Sequence, residues 1–435
     1  MGNNQKALKT QLIFMNFLQF AVWGAYLTCM GAYLGRVGLG DNIGTFYAMQ
    51  GIVSIFMPAL IGTIADRWIP AQRMLGICHL IAGLAMVGCF IYGQSAGENV
   101  QFTPLIAMFT VSIGFYMPSL ALSYSVAYTG LTNAGLDTVK DFPTIRVLGT
   151  VGFIATMLFV DIMDYETMPH QFLTSGVLSI CLFFYSFFLP KCSISKSKEK
   201  KGIIDALGLK AFSLFKQRNM AIFFLFSMML GVCLQITNGF AVPFIKSFDG
   251  NPEYAGAVAL QYPVILSSLS QASETLCILL IPFFMKRFGI KTVMLIAFLA
   301  WVLRFALLGF GNPGPEMLSW GFLSWVLSMI VYGVAFDFFN ISGSLYVDRC
   351  TSASIRSSAQ GVFLLMTNGF GATVGSFAAQ TVIKANTLDG VVDWTKCWYI
   401  FAGYALFVGV LFALLFQEQK SRKEKRLDKK FGYED

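Results

Sequence analysis

The sequence predicts an all-α polytopic membrane protein whose twelve transmembrane helices form two six-helix bundles. Three observations carry that reading. The 435 residues are 56% hydrophobic and only 12% charged, whereas globular chains carry about 25% charged residues. Apolar runs of more than about 18 residues recur along the chain, each long enough to cross a bilayer as a helix. A polar, basic loop at 191–218 divides these runs six and six.

Taken in order, the expected spans are 11–35, 43–65, 72–93, 102–130, 143–163, 169–190, 219–245, 255–285, 290–311, 318–347, 357–384 and 394–416. The first run is longer than the apolar core of a signal peptide and lacks an A-x-A cleavage site, so it reads as a retained helix. Residues 1–190 form the first bundle, 191–218 a cytoplasmic linker, 219–416 the second bundle, and 417–435 a basic cytoplasmic tail. The linker suits two halves that rock against each other, and a bare connector would look the same. The basic tail reads as a solvated end drawn to anionic lipid.

An even number of spans places both termini on one side. Of the 31 Lys and Arg, Arg36, Lys246, Lys384 and Lys396 fall in odd-numbered loops, and Arg146 and Arg304 inside spans. The others lie in the termini, in the even-numbered loops or at the edges of those loops, which puts both termini in the cytoplasm. The net charge of +8 therefore marks orientation in the cytoplasmic (inner) membrane and not a nucleic-acid partner. Most of the nine cysteines (Cys29, Cys78, Cys89, Cys181, Cys233 and Cys277 among them) lie in spans without paired spacing. They read as small apolar residues and not as disulfides or metal ligands.

The stretch 331–348 concentrates the functional signal: Tyr332, Asp337 and Asn340 sit inside an apolar run. A carboxylate near mid-bilayer costs about 2.5–3.5 kcal/mol on insertion scales, so it normally faces a bundle interior or a water-filled cavity. Three other spans carry comparable groups. Span 5 has Arg146, Thr150 and Phe153 on one helical face. Span 7 has Gln235 and Asn238, and span 8 has Gln271 and Glu274, each pair at i, i+3. In span 10, Tyr332 and Phe336 are four apart, with Asp337 turned by about 100° from Phe336.

Each group has a plainer reading. Amides join membrane helices, and Phe153 and Phe336 by themselves suit lipid or core. His79 reads as a packing residue, and His170 falls in a periplasmic loop. Arg304, towards the periplasmic third of span 9, could snorkel to the interface and reads as structural. Taken together, the set suits a small ligand bearing hydroxyls and a flat heterocycle. Amides offer a donor beside an acceptor, a carboxylate accepts from vicinal hydroxyls, and aromatic faces stack on a base for roughly 1–3 kcal/mol. A sugar would suit the amides and the carboxylate almost as well.

The loop after span 2, Gly62-Thr-Ile-Ala-Asp66-Arg67, resembles the Gly-x-x-x-Asp-Arg loop of the major facilitator superfamily. Within it the chain resembles the nucleoside:proton symporter family. The matching stretches are Phe17-Leu-Gln-Phe20 with Trp23-Gly24, Phe56-Met-Pro-Ala-Leu60, Asp141-Phe-Pro with Ile145-Arg146, and Leu234-Gln-Ile-Thr-Asn238. Ser270-Gln-Ala-Ser-Glu274, Ala335-Phe-Asp-Phe-Phe-Asn-Ile-Ser-Gly343 and Met366-Thr-Asn-Gly-Phe-Gly371 continue the match.

The resemblance implies the major facilitator fold and proton-driven nucleoside uptake by alternating access. It implies a substrate pocket of Arg146, Thr150, Phe153, Gln235, Asn238, Gln271, Glu274, Tyr332 and Phe336, with Asp337 and Glu274 as candidates for proton coupling. Asp66 and Arg67 would latch the cytoplasmic side in one state. Spans 5 and 8 face each other in that fold, so Arg146 would hold Glu274 charged while Asp337 carries the proton. Departures in the loops and in spans 3, 6 and 12 bear on substrate range more than on the reaction. A monomer is expected in the lipid bilayer, with nucleoside and protons as partners and no cofactor or metal.

The competing readings are a proton-coupled sugar or glycoside symporter and, from another class, a membrane receptor or enzyme. An enzyme would need a nucleophile–base pair or a metal set, and the spans carry no such cluster. A receptor would be expected to bring a signalling domain.

Overall fold

The computed structural model describes residues 3–136, 138–192, 209–314, 316, 319–351 and 356–417. In the first half these form α1 (Asn3–Gly24), α2 (Met30–Arg36), α3 (Ile43–Arg67), α4 (Ala71–Ala96), α5 (Phe102–Asn133), α6 (Thr138–Ile162) and α7 (His170–Ser186). The second half holds α8 (Arg218–Lys246), α9 (Pro263–Phe310), α10 (Trp320–Cys350), α11 (Arg356–Leu364), a π-helical stretch (Leu365–Gly371), α12 (Ala372–Ala385) and α13 (Trp394–Leu415). A two-strand hairpin joins α12 to α13, with β1 (Thr387–Leu388) antiparallel to β2 (Val391–Val392). Its turn residues Asp389 and Gly390 both have positive φ, the geometry that favours Asp-Gly in tight hairpins.

Nine helices among the described residues are long and apolar enough to cross a membrane. The other three expected spans take different forms. Span 1 is interrupted at residues 25–29, between α1 and α2. There the amide of Tyr26 bonds three residues back to Trp23, and the Tyr47 hydroxyl donates to the carbonyl of Leu27. Span 6 contracts to the 17 residues of α7. Spans 8 and 9 are one helical stretch of 48 residues, bent at Gly289 (φ 76°, ψ 171°). The loop expected at 286–289 shrinks to that residue because glycine enters the left-handed region without a Cβ clash. Arg304 Nη1 lies 3.3 Å from Ser270 Oγ, so the limbs on either side of Gly289 fold back on each other.

Small residues let the helices approach closely, as membrane packing favours. Gly24 lies against the backbone of Phe153 and Gly152 against that of Phe17, which seats α1 on α6. Gly231 meets the backbone of Thr367 in the π-helical stretch. Between the halves, α6 packs on α9, α2 on α8, and α3 on α12 and the π-helical stretch. A Cβ on Gly51 would sit 2.6 Å from the Gly369 carbonyl oxygen.

Polar contacts also join the halves, at the end opposite the termini. Glu166 pairs with Lys246 at 2.9 Å, and Asp41 with Lys384 at 3.5 Å. The backbone N–H of Gly44 donates to Gln380 Oε1 at 2.8 Å. Asp161 accepts the backbone N–H groups of Val264 and Ile265. That end of the molecule is closed.

Candidate functional site

On α6, Arg146 is held from two helices. Its Nε donates to the Tyr124 hydroxyl at 2.8 Å and its Nη1 to Thr150 Oγ1 at 3.4 Å. The guanidinium lies 4.0 Å from the centre of the Phe20 ring, a cation–π contact. One turn beyond Thr150, Phe153 is buried and meets Trp23 edge-on with centroids 6.2 Å apart. Trp23 Nε1 donates to Gln50 Oε1 at 3.3 Å. Phe20, Trp23, Gln50 and Tyr124 thus shape this wall, although polarity and spacing pointed to none of them; only the resemblance touched Phe20 and Trp23.

The opposite wall comes from α9 and α10. Gly333 meets the backbone of Ser273, and the Ser273 hydroxyl donates to the Ile330 carbonyl. This clamps the two helices beside Glu274 and Tyr332. Tyr332 and Phe336 stack with centroids 5.6 Å apart and planes 8° from parallel. Glu274 is half-buried. Asp337 is 4% exposed, and its Oδ2 has no hydrogen-bond partner among the described residues. Arg146 interacts electrostatically with both Glu274 and Asp337, and the two carboxylates with each other.

From α8, Asn238 lines a pocket together with Gln271, Tyr332 and Arg304. Gln235, one turn away, is buried, and its Oε1, like that of Gln271, has no partner among the described residues. Buried polar atoms without partners are costly, and amides joining helices would have used them on each other. Gln271 lines the pocket, whereas Gln235 is not among its lining residues.

The structure therefore brings Arg146, Glu274 and Asp337 within electrostatic reach, and Asn238, Gln271 and Tyr332 into one pocket. One expectation reads differently. Arg304, read as a residue free to snorkel, is instead 3% exposed and lines the pocket, because its guanidinium is held by the Ser328 carbonyl and the Ser270 hydroxyl. The side chains of Asp66 and Arg67 lie outside the described residues, although their backbone closes α3. His79 is a buried packing residue between Ser179 Oγ (2.8 Å) and Gln19 Oε1 (2.9 Å). Among the described residues no group of three or more His, Cys, Asp or Glu is placed to hold a metal ion.

The model of the family described as Nucleoside H+ symporter matches residues 6–421. Nucleoside permease NupG of Escherichia coli (strain K12) is 44% identical over 418 residues, 95% of this chain and 97% of its own length. Xanthosine permease of the same organism is 45% identical over 409 residues, covering 93% and 95%. A crystal structure of the nucleoside transporter NupG, in a mutant form, matches with a TM-score of 0.88 at 43% identity, over 94% of this chain and 100% of that one. A peptide transporter of the POT type reaches 0.71 at 12% identity and shares the fold alone.

Proposed function

The chain belongs to the nucleoside H+ symporter family, and from that premise we propose that it takes up nucleosides into the cell by proton-coupled alternating access. It is a multi-pass membrane protein and not an enzyme. What supports the site is the junction of the halves, where Arg146, Glu274 and Asp337 lie within electrostatic reach of one another and Tyr332 stacks on Phe336. Glu274, beside Arg146, accepts the ribose hydroxyls. Gln235, Asn238 and Gln271 read the edge of the base, and Phe153, Tyr332 and Phe336 offer aromatic faces. Asp337 carries the proton, since Arg146 is shared with Glu274 and no basic residue stands on α10 within the spanning part.

The Lys and Arg distribution supports a cytoplasmic-membrane location with both termini in the cytoplasm, so the closed end faces outward. One proton crossing 100 mV supplies about 2.3 kcal/mol, enough for roughly 50-fold accumulation. Uptake of radiolabelled uridine into vesicles, with and without an imposed pH gradient, tests the reading. Concentrative uptake that collapses with the gradient is expected. Downhill entry that is indifferent to the gradient would remove the coupling, and competition by glucosides but not by nucleosides would reassign the substrate.

A further inference from the structure

Arg304 stands on the second limb of α9, 3% exposed, and among the described residues no carboxylate pairs with it. Its fixed contacts are few. Nη1 donates to the Ser328 carbonyl at 2.8 Å and to Ser270 Oγ at 3.3 Å, and the guanidinium lies 4.6 Å from the centre of the Tyr332 ring. Nε has no partner among the described residues. A guanidinium carries five N–H donors and no acceptor, so a buried arginine with idle donors and no counter-ion is an expensive arrangement to keep.

Arg304 lines the pocket shared with Asn238, Gln271 and Tyr332. Among the pocket's hydroxyls, Thr237 gives its hydrogen to the Leu234 carbonyl, Ser267 to that of Pro263 and Ser270 to the Met329 sulfur, while those of Thr28 and Tyr332 can turn to donate or accept. The two amides turn end for end and suit either a donor or an acceptor. Arg304 is thus the group in the pocket whose polarity cannot adapt. Whatever ligand atom meets it has to be an acceptor.

We propose that Arg304 is a specificity-determining residue that receives an exocyclic oxygen of the nucleobase, so that the protein selects oxo bases over amino bases. The inference rests on the nucleoside reading above. Uridine and inosine present a carbonyl oxygen where cytidine and adenosine present an amino group. Against a guanidinium the amino group sets donor against donor and leaves both unpaired. A site built to hydrogen-bond one group rejects the analogue that lacks it far more strongly than a hydrophobic pocket rejects an extra methylene.

The test is a ratio taken within each variant, which cancels expression level. Uptake in vesicles is measured for uridine against cytidine and for inosine against adenosine, in the native protein, Arg304→Lys and Arg304→Gln. Where transport is too weak to measure, binding of the same four nucleosides to purified protein in detergent supplies the ratio. The native protein is expected to favour the oxo member of each pair by about tenfold or more. Arg304→Lys retains a donor and keeps most of the preference, and Arg304→Gln, whose amide turns either way, brings both ratios close to one. Equal handling of oxo and amino nucleosides by the native protein overturns the proposal. So does a fall in all four nucleosides by the same factor in Arg304→Gln, which would leave Arg304 as a packing support for Tyr332. Absence of any nucleoside uptake or binding by the native protein would instead fail the functional reading itself.

Discussion

Asp161 Oδ2 lies 2.8 Å from the backbone nitrogen of Ile265, and Asp161 Oδ1 lies 3.1 Å from that of Val264. Asp161 ends α6 in the first half, fully buried, and the two amides open α9 in the second. The first N–H groups of a helix have no partner within it, and Pro263 before them has none to offer. A carboxylate from the other half satisfies them and meets the positive end of the helix dipole. The bonds exist only while this end is closed, so they bias the two-state equilibrium towards the closed form.

Asp161→Ala is therefore expected to weaken closure by about 0.5–2 kcal/mol, the usual worth of a helix N-cap. Distances between spin labels at Asn42 and Asp389, one in each half, would show it as a longer population that grows in Asp161→Ala. Asp161→Asn, which keeps one acceptor oxygen, should fall between. A native distribution in Asp161→Ala would mean that the cap does not hold the halves together.

Beside this cap, Lys246 pairs with Glu166, whose side chain is 5% exposed, and also donates to the Leu260 carbonyl at 3.1 Å. Removing one partner of a buried pair leaves an uncompensated charge, at a cost of about 3–5 kcal/mol. Lys246→Met should lower the thermal midpoint in detergent markedly. Exchanging the two residues, Glu166→Lys with Lys246→Glu, should recover part of that loss. If the exchanged protein is no more stable than Lys246→Met, charge is not what the contact depends on.

Gln235→Ala and Asn238→Ala should each weaken nucleoside binding by about 1–3 kcal/mol, the penalty for leaving a buried polar partner unpaired. Both variants should still reach the membrane, because alanine suits a helix interior. Titration of uridine onto the purified proteins decides the point: native affinity in both would reduce the amides to packing.

Asp337→Asn should bind nucleoside and exchange it across the membrane, yet lose accumulation driven by a pH gradient. Glu274→Gln, in contrast, should lose binding itself, since an amide offers one acceptor oxygen where the carboxylate offers two. Counterflow and gradient-driven uptake separate these outcomes. Accumulation retained by Asp337→Asn and lost by Glu274→Gln, with binding intact, would move the proton to Glu274.

The polar set was legible because each member breaks a rule that the surrounding residues obey. Arg146, Glu274 and Asp337 are costly inside a bilayer run, and their helical spacing puts neighbours on one face. Asp161 breaks the same rule within span 5 and went unremarked, because its position at the end of the run allows a plain interfacial reading. The interruption of span 1 at residues 25–29 had no breaker stronger than Gly24 to announce it.

By itself the sequence determined nine of the twelve expected spans and the residues too polar to face lipid, since these follow from transfer cost and helix periodicity along one chain. Only the tertiary structure decided which groups meet. A helical face says that a side chain points inward and does not say what stands opposite. Arg304 reaches Ser270 and the pocket because α9 folds back at Gly289, and Asp161 finds its partners 103 and 104 residues away. Such contacts depend on the relative placement of the halves, which differs between conformations while the sequence stays the same.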